Sequence, residues 1–147
     1  MPPQVGQDAG SGPLTEGSVL TGQGPSAVGV QTSLHYSTEI DNDANRDFVQ
    51  AYADAYEGAL PTCFAMAVFD AANVLSKALA EAGNVSGDAL SEALGGLGEI
   101  ANSPRGPWSF DGQTPKQTMY LREVADREGT LINTVVQDLG VYSQPAS

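Results

Sequence analysis

From Pro61 to Ala82 the chain carries apolar residues at helical spacing, and little in the sequence before it is able to cover them. Ala65, Val68, Phe69, Ala72, Leu75 and Leu79 recur at intervals that place them on one helix face. Pro61 suits a first turn, where no intrahelical N–H is required, and Gly83 stands where a helix ends in the left-handed conformation. A second helix is expected over 44–57, with Phe48, Ala51, Tyr52 and Tyr56 inward and Gly58 as its stop. A third is expected over 87–97, with Ser86 as its cap and Leu90, Leu94 and Leu97 inward. Ahead of these helices only one strong strand pattern occurs. Val28, Val30, Thr32, Leu34 and Tyr36 alternate with Gly29, Gln31, Ser33 and His35 over 28–36. Two apolar helix faces need more cover than one strand supplies.

After the helices the pattern changes period. Ser103–Asp111 combines a stiff turn at Pro104, Gly106 and Pro107 with Trp108 and Phe110 alternating as at the start of a strand. Arg105 is placed to fix that turn, and both aromatic rings are expected in the core. Strands follow over 119–124 and 131–136, with turns at Gly112 and Gly129, so the chain closes in a β-meander. At the front, Gln4–Gln7 reads as the end of a strand. Gly10-Ser11-Gly12-Pro13 is a glycine loop opening onto a short helix over 15–20, with Thr15 or the preceding loop as its cap. Such a loop can hold a ligand carboxylate on its free N–H groups and hydroxyls, although an ordinary glycine turn is the commoner reading of the local residues. The class is α/β.

Chemistry-bearing residues are few. Eighteen acids against six bases give a net charge of −12, which disfavours nucleic acid and anionic membrane surfaces as partners. His35 is the sole histidine, on the polar face of a strand, and Ser33, Ser37 and Asp41 do not orient around it as a nucleophile and base must. Asp41, Asp43 and Asn45 begin a calcium-loop spacing that Arg46 and Tyr52 then break, so helix capping explains them better. Cys63, the single cysteine, reads as a small buried hydrophobe, and no metal-ligand set surrounds it. No apolar run approaches the roughly 18 residues of a membrane span. The first thirty or so residues carry no export signal of the usual basic and apolar kind.

Four ordered segments resemble solute-binding proteins of the periplasmic leucine/isoleucine/valine type. The first runs from Gly10 through Thr32, similar to the strand, loop and short helix that lead to the family's "A-x-G-v-x-t" hinge strand. The second is Asp41–Tyr56, resembling "D-n-x-x-N-x-x-F-v-x-a-Y-x-x-x-Y" with Asn45, Phe48, Tyr52 and Tyr56 in place. The third is Leu60–Gly83, with Phe69-Asp70-Ala71 where Tyr-Asp-Ala is usual. The fourth is Ser103–Asp111 followed by Tyr120–Val124.

The resemblance implies part of a two-lobed type I periplasmic-binding-protein fold, a Rossmann-like parallel sheet flanked by helices with a C-terminal β-meander. Such proteins are more than twice this length, so the chain reads as a fragment. On that reading residues 1–36 are the end of one lobe with a hinge crossing, 37–126 the C-terminal portion of the other lobe, and 127–147 the final strand region and tail. The implied function is delivery of a small solute to the membrane permease of an ABC transporter. The solute is an amino acid, amide, urea or aromatic acid, and the parent is periplasmic or extracellular and membrane-tethered. A ligand-sensing domain of the same fold is the alternative. Neither catalysis, cofactor, metal nor nucleic acid is implied. Ser11, Thr15 and Val28 are the residues expected to line the cleft. Branched-chain amino-acid binders of the family carry a glutamate where Val28 stands, to meet the ligand ammonium, so the resemblance points to a solute without a cationic amine.

Overall fold

The computed structural model describes residues 9–83 and 85–144, and the strand expected at Gln4–Gln7 lies outside them. The architecture is α/β. Six strands form one sheet: β1 (Ala9–Ser11), β2 (Gln31–Leu34), β3 (Glu99–Ile100), β4 (Trp108–Asp111), β5 (Thr114–Arg127) and β6 (Thr130–Tyr142). Four α-helices accompany it: α1 (Gly17–Gln23), α2 (Asp43–Ala55), α3 (Cys63–Ala82) and α4 (Gly87–Gly96). Short 3-10 turns span Gly12–Thr15 and Gly24–Ala27. β1 and β2 are parallel, while the other pairs are antiparallel and form the expected C-terminal meander.

β5 organises the sheet. Its start pairs with β4, its later half pairs with β2 through Thr32↔Arg122, and β6 runs along its other edge. The β5–β6 ladder shifts register between Met119 and Tyr120 and again between Leu121 and Arg122. Bulges of this kind re-aim the neighbouring side chain. The strand predicted over 28–36 forms only over Gln31–Leu34. Residues 28–30 leave a 3-10 turn, and Gly29 has φ +89. The chain nonetheless stays tied to β5 there, Gly29 N donating to Val124 O at 2.9 Å. The alternation holds where it matters, since Thr32, Leu34 and Tyr36 are all buried.

Ser86 caps α4 as expected, whereas α3 starts at Cys63 with Thr62 as its cap, so Pro61 precedes the helix rather than standing in its first turn. Asn42, Thr62 and Ser86 accept from the amides of Asn45, Ala65 and Ala89, and Gly83 closes α3 in the left-handed conformation. Asn45 is buried and donates to the carbonyls of Ser37, Thr38 and Ile40, so it shapes the loop before α2. Arg46 pairs with Asp41 and Asp43 on the surface, which accounts for that acidic run without a cation.

The buried face of α3 is not the expected one. Cys63, Met66, Asp70, Val74 and Ala78 point inward, whereas Val68 is 71% exposed and Phe69, Leu75 and Leu79 are each more than 40% exposed. The helix is apolar around most of its girth, and the inner face is chosen by what the neighbours fasten. Asp70 is held by Arg105 and Ser103, and Val74 packs with Ile100 and Trp108. A second expectation is also corrected. With a mean hydropathy of 1.4, α3 is long and apolar enough to cross a membrane by length and composition, although charged residues interrupt it. Its ion-paired Asp70 and its packing on two clusters make it a core helix of this fold.

Three apolar clusters result. Leu34, Tyr36, Ile40, Phe48, Cys63 and Met66 form one, and Val74, Ile100 and Trp108 form another, both beneath the long helices. Leu20, Ala27 and Val124, with Val30 and Leu131, form a third under α1.

Candidate functional site

Between α1, the segment 58–62 before α3 and the β5–β6 hairpin lies a cavity of about 580 Å³. Its walls mix hydroxyls (Thr15, Thr21, Ser37, Thr62) with apolar groups (Leu20, Leu60, Leu131). Mixed linings of this kind and this size suit small organic ligands.

One side is built on Arg122, which is fully buried. The β5 bulge and the Thr32↔Arg122 pairing place its guanidinium under the 12–15 turn. Nη1 donates to Glu16 Oε1 at 2.6 Å and to the Tyr36 carbonyl at 2.8 Å. Nη2 donates to the Gly12 carbonyl and to Thr32 Oγ1, each at 3.1 Å, with Thr15 Oγ1 at 3.4 Å. Only glycine fits at position 12, since a Cβ there would stand 2.5 Å from Leu34 Cδ1. Glu16 precedes α1 but does not cap it with its side chain. The carboxylate reaches away instead, and Oε2 accepts from the backbone N–H of Cys63, the first residue of α3, at 2.7 Å. The positive end of that helix and the guanidinium thus share one anion. β6 completes the wall, Asn133 Nδ2 donating to the Thr15 carbonyl at 2.8 Å and Ser37 Oγ donating to the Asn133 carbonyl.

Burial and charge set the chemistry. The Cys63 thiol is pushed up to about 12, first by burial and then by the Glu16 carboxylate, so the sulfur stays protonated and unreactive as packed. The Tyr36 phenol is likewise raised by burial and by Glu16. Its hydroxyl, Arg122 Nε and Asn133 Oδ1 are buried without a hydrogen-bond partner among the described residues. His35, directly after β2, is lowered to about 4 by burial and then by Arg105 and Arg122. No group of His, Cys, Asp and Glu suited to a metal ion occurs among the described residues.

Of the residues expected to line a cleft, the structure brings Thr15 to the cavity wall, but as a fully buried hydroxyl engaged with Gly12, Thr32 and Arg122. Ser11 is exposed at the end of β1, and Val28 is 49% exposed after the 24–27 turn; neither lines this cavity. Sequence reasoning missed Glu16 and Arg122. Their only sequence signal is an acid beside a glycine turn and an arginine within the strand run Tyr120–Val124. Arg105 was placed correctly at its turn, and there it pairs with Asp70 at 2.8 Å and lies over the Trp108 ring.

Known proteins share this fold. The family model described as periplasmic binding protein matches residues 4–129, and the chain belongs to that family. It is 33% identical over 139 residues to Leu/Ile/Val-binding protein homolog 6 of Brucella abortus (strain 2308), a match covering 91% of this chain and 35% of that protein. The chain therefore spans about a third of the length of the curated relatives it matches. Among solved structures, an ABC-transporter solute-binding protein from Rhodopseudomonas palustris BisB5, in complex with 3,4-dihydroxybenzoic acid, superposes with a TM-score of 0.83. That match has 30% identity and covers 93% of this chain and 38% of the other. A second solute-binding protein from R. palustris, in complex with benzoate, is 33% identical, with a TM-score of 0.72, over 90% of this chain and 35% of the other. The closed form of a leucine-, isoleucine-, valine-, threonine- and alanine-binding protein from Brucella ovis shares the fold at 18% identity, with a TM-score of 0.73, over 89% of this chain and 36% of the other.

Proposed function

We propose that this member of the periplasmic binding protein family supplies one wall of the solute cleft of an ABC-transporter receptor, and that the solute is a small aromatic carboxylate. The observation that carries the solute class is Val28. It is half-exposed at the entry to β2, where amino-acid binders of the resembled family present a glutamate to the ligand ammonium. A valine there cannot pair with a cationic amine, and it offers apolar surface to a ring. Relatives at 30% and 33% identity hold dihydroxybenzoate and benzoate, which supports the same class. Ser11, exposed at the end of β1, is the proposed polar contact on this wall, and Thr15, whose hydroxyl is buried against Gly12, Thr32 and Arg122, holds the turn that follows; Ser11 and Val28 lie outside the cavity under α1. Residues 1–36 would belong to one lobe with its hinge crossing, 37–126 to the other, and 127–147 to the closing strand region. The partner is then a membrane permease, and the place of action is the periplasm or cell exterior.

The test is a chimera in which this chain replaces the matching third of the benzoate-binding R. palustris protein. After a melting curve shows it folded, it is titrated calorimetrically with benzoate, 4-hydroxybenzoate and L-leucine. Binding of the aromatic acids, lost on Val28→Glu, is the expected result. Binding of leucine alone overturns the solute class, and a folded chimera that binds none of the three overturns the receptor reading.

A further inference from the structure

The cluster under α1 and the cluster beneath α2 and α3 share the sheet but no apolar side chain. What joins them at the floor of the cavity is polar and narrow. Glu16 belongs to the α1 side and Cys63 begins the α3 side. Between these two residues runs one hydrogen bond, from Cys63 N to Glu16 Oε2, 2.7 Å long, and alongside it Arg122 Nη1 donates to both Glu16 and the Tyr36 carbonyl while Asn133 joins the Thr15 carbonyl to Ser37 Oγ. Beside it the two sides come close enough that a Cβ on Gly17, whose φ is +53, would stand 3.2 Å from Thr62 Cγ2. The other half of the carboxylate is anchored differently. Its partner Arg122 is also held by two backbone carbonyls and two threonine hydroxyls, all on β1–β2 and the turns at their ends. Moving Arg122 breaks several buried hydrogen bonds at once, whereas parting Glu16 from the first turn of α3 breaks one, together with the packing of Cys63 against its apolar neighbours.

We propose that Glu16 is a positioning residue that latches this joint: its bond to the α3 amide opens and closes with the cavity, while its ion pair with Arg122 stays fixed as the pivot. Cys63 reports the state of the latch. Its sulfur is buried at the first turn of α3, and Glu16 helps keep it protonated, so separating α3 from Glu16 exposes and activates it. It is the only thiol in the chain, so a thiol reagent reads this one event. The latch concerns the chain without solute and does not depend on which solute the cavity takes.

The experiment measures the rate at which dithionitrobenzoate labels Cys63 in the 147-residue chain, normalised to the rate in the urea-unfolded chain. It is repeated across the urea concentrations below the unfolding transition. A local opening exposes little surface, so its rate is nearly flat with urea, whereas labelling through global unfolding rises as steeply as unfolding itself. The expected wild-type result is the flat dependence. Glu16→Asp keeps the charge against Arg122 but is one methylene too short to hold both partners. It is expected to label roughly ten- to a hundredfold faster, the loss of one charge-assisted hydrogen bond, with the urea midpoint little changed. A steep wild-type dependence, or a folded Glu16→Asp variant labelled at the wild-type rate, overturns the proposal. Should Glu16→Asp not fold, the wild-type urea dependence decides by itself.

Discussion

Arg122 and Arg105 each hold a buried carboxylate, at 2.6 and 2.8 Å, yet they fasten different kinds of structure. Arg105 sits in the 103–107 turn and pairs with Asp70 of α3. Ser103 Oγ donates to the same carboxylate oxygen, Gln117 accepts from Nη1, and the Trp108 ring lies 4.6 Å away. Trp108 belongs to the apolar cluster of Val74, Ile100 and Trp108, and Asp70 lies one turn before Val74 on α3, so the pair fastens the edge of one continuous core. Arg122 and Glu16 lie where two clusters meet and where apolar contact between them is missing. A buried ion pair adds little net stability compared with packed hydrocarbon, but removing one partner strands the other. The same chemistry therefore acts as a rivet inside one body and as a pivot between two.

The largest effect separating the two pairs is expected from Arg122→Met. It leaves the Glu16 carboxylate buried without its cation and takes a donor from the Tyr36 and Gly12 carbonyls and from two threonine hydroxyls, for a loss of about 3–5 kcal/mol in a urea unfolding curve. Arg105→Met is expected to cost less, since water reaches the rim of a side chain that is 10% exposed. Equal losses would dissolve the distinction between rivet and pivot. Next is Ser103→Ala, which removes the hydroxyl bonded to Asp70 and should cost about 1–2 kcal/mol. Because it acts within one cluster, it should leave the Cys63 labelling rate unchanged, and a faster rate would show the two regions coupled.

The smallest effect belongs to His35, which feels both arginines. Its folded value, about 4, lies below the ordinary 6.5, so the unfolded chain takes up a proton first as pH falls. Stability is unaffected above about 6.5 and declines as pH drops from there toward 4, by about 1 kcal/mol for a part-exposed group. Urea midpoints of wild type and His35→Gln, compared at pH 7 and pH 5, isolate this term. The difference should be larger at pH 7, because only the wild type loses stability through His35 on acidification, and a difference independent of pH would remove His35 from the balance.

Much of the frame was legible in the sequence. The caps at Asn42 and Ser86, the stop at Gly83, the turns at Gly112 and Gly129 and the inward set Thr32, Leu34 and Tyr36 are local consequences of side-chain chemistry and backbone freedom. The face of α3 was not legible. Val68, Leu75 and Leu79 make the more apolar stripe, but a hydrophobic pattern states that a face is able to be covered, not what lies against it. Asp70 on the neighbouring face finds Arg105 and Ser103, and that contact draws the less apolar side inward. The cavity was only partly legible. Thr15 was singled out for its loop, while its partners Glu16 and Arg122 are separated by more than a hundred residues and carry no common motif.

By itself the sequence determined the α/β class, the order of strand, helices and meander, and the family, because periodicity, capping and ordered motifs are short-range features of the chain. The tertiary structure decided which face of α3 is inside, that Glu16 caps a helix other than its own, and that Arg122 stands where two cores meet. Those outcomes depend on long-range pairing across β2 and β5 and on buried charges finding each other. No local rule fixes which partner a buried charge will have until the sheet has brought the candidates within hydrogen-bonding distance.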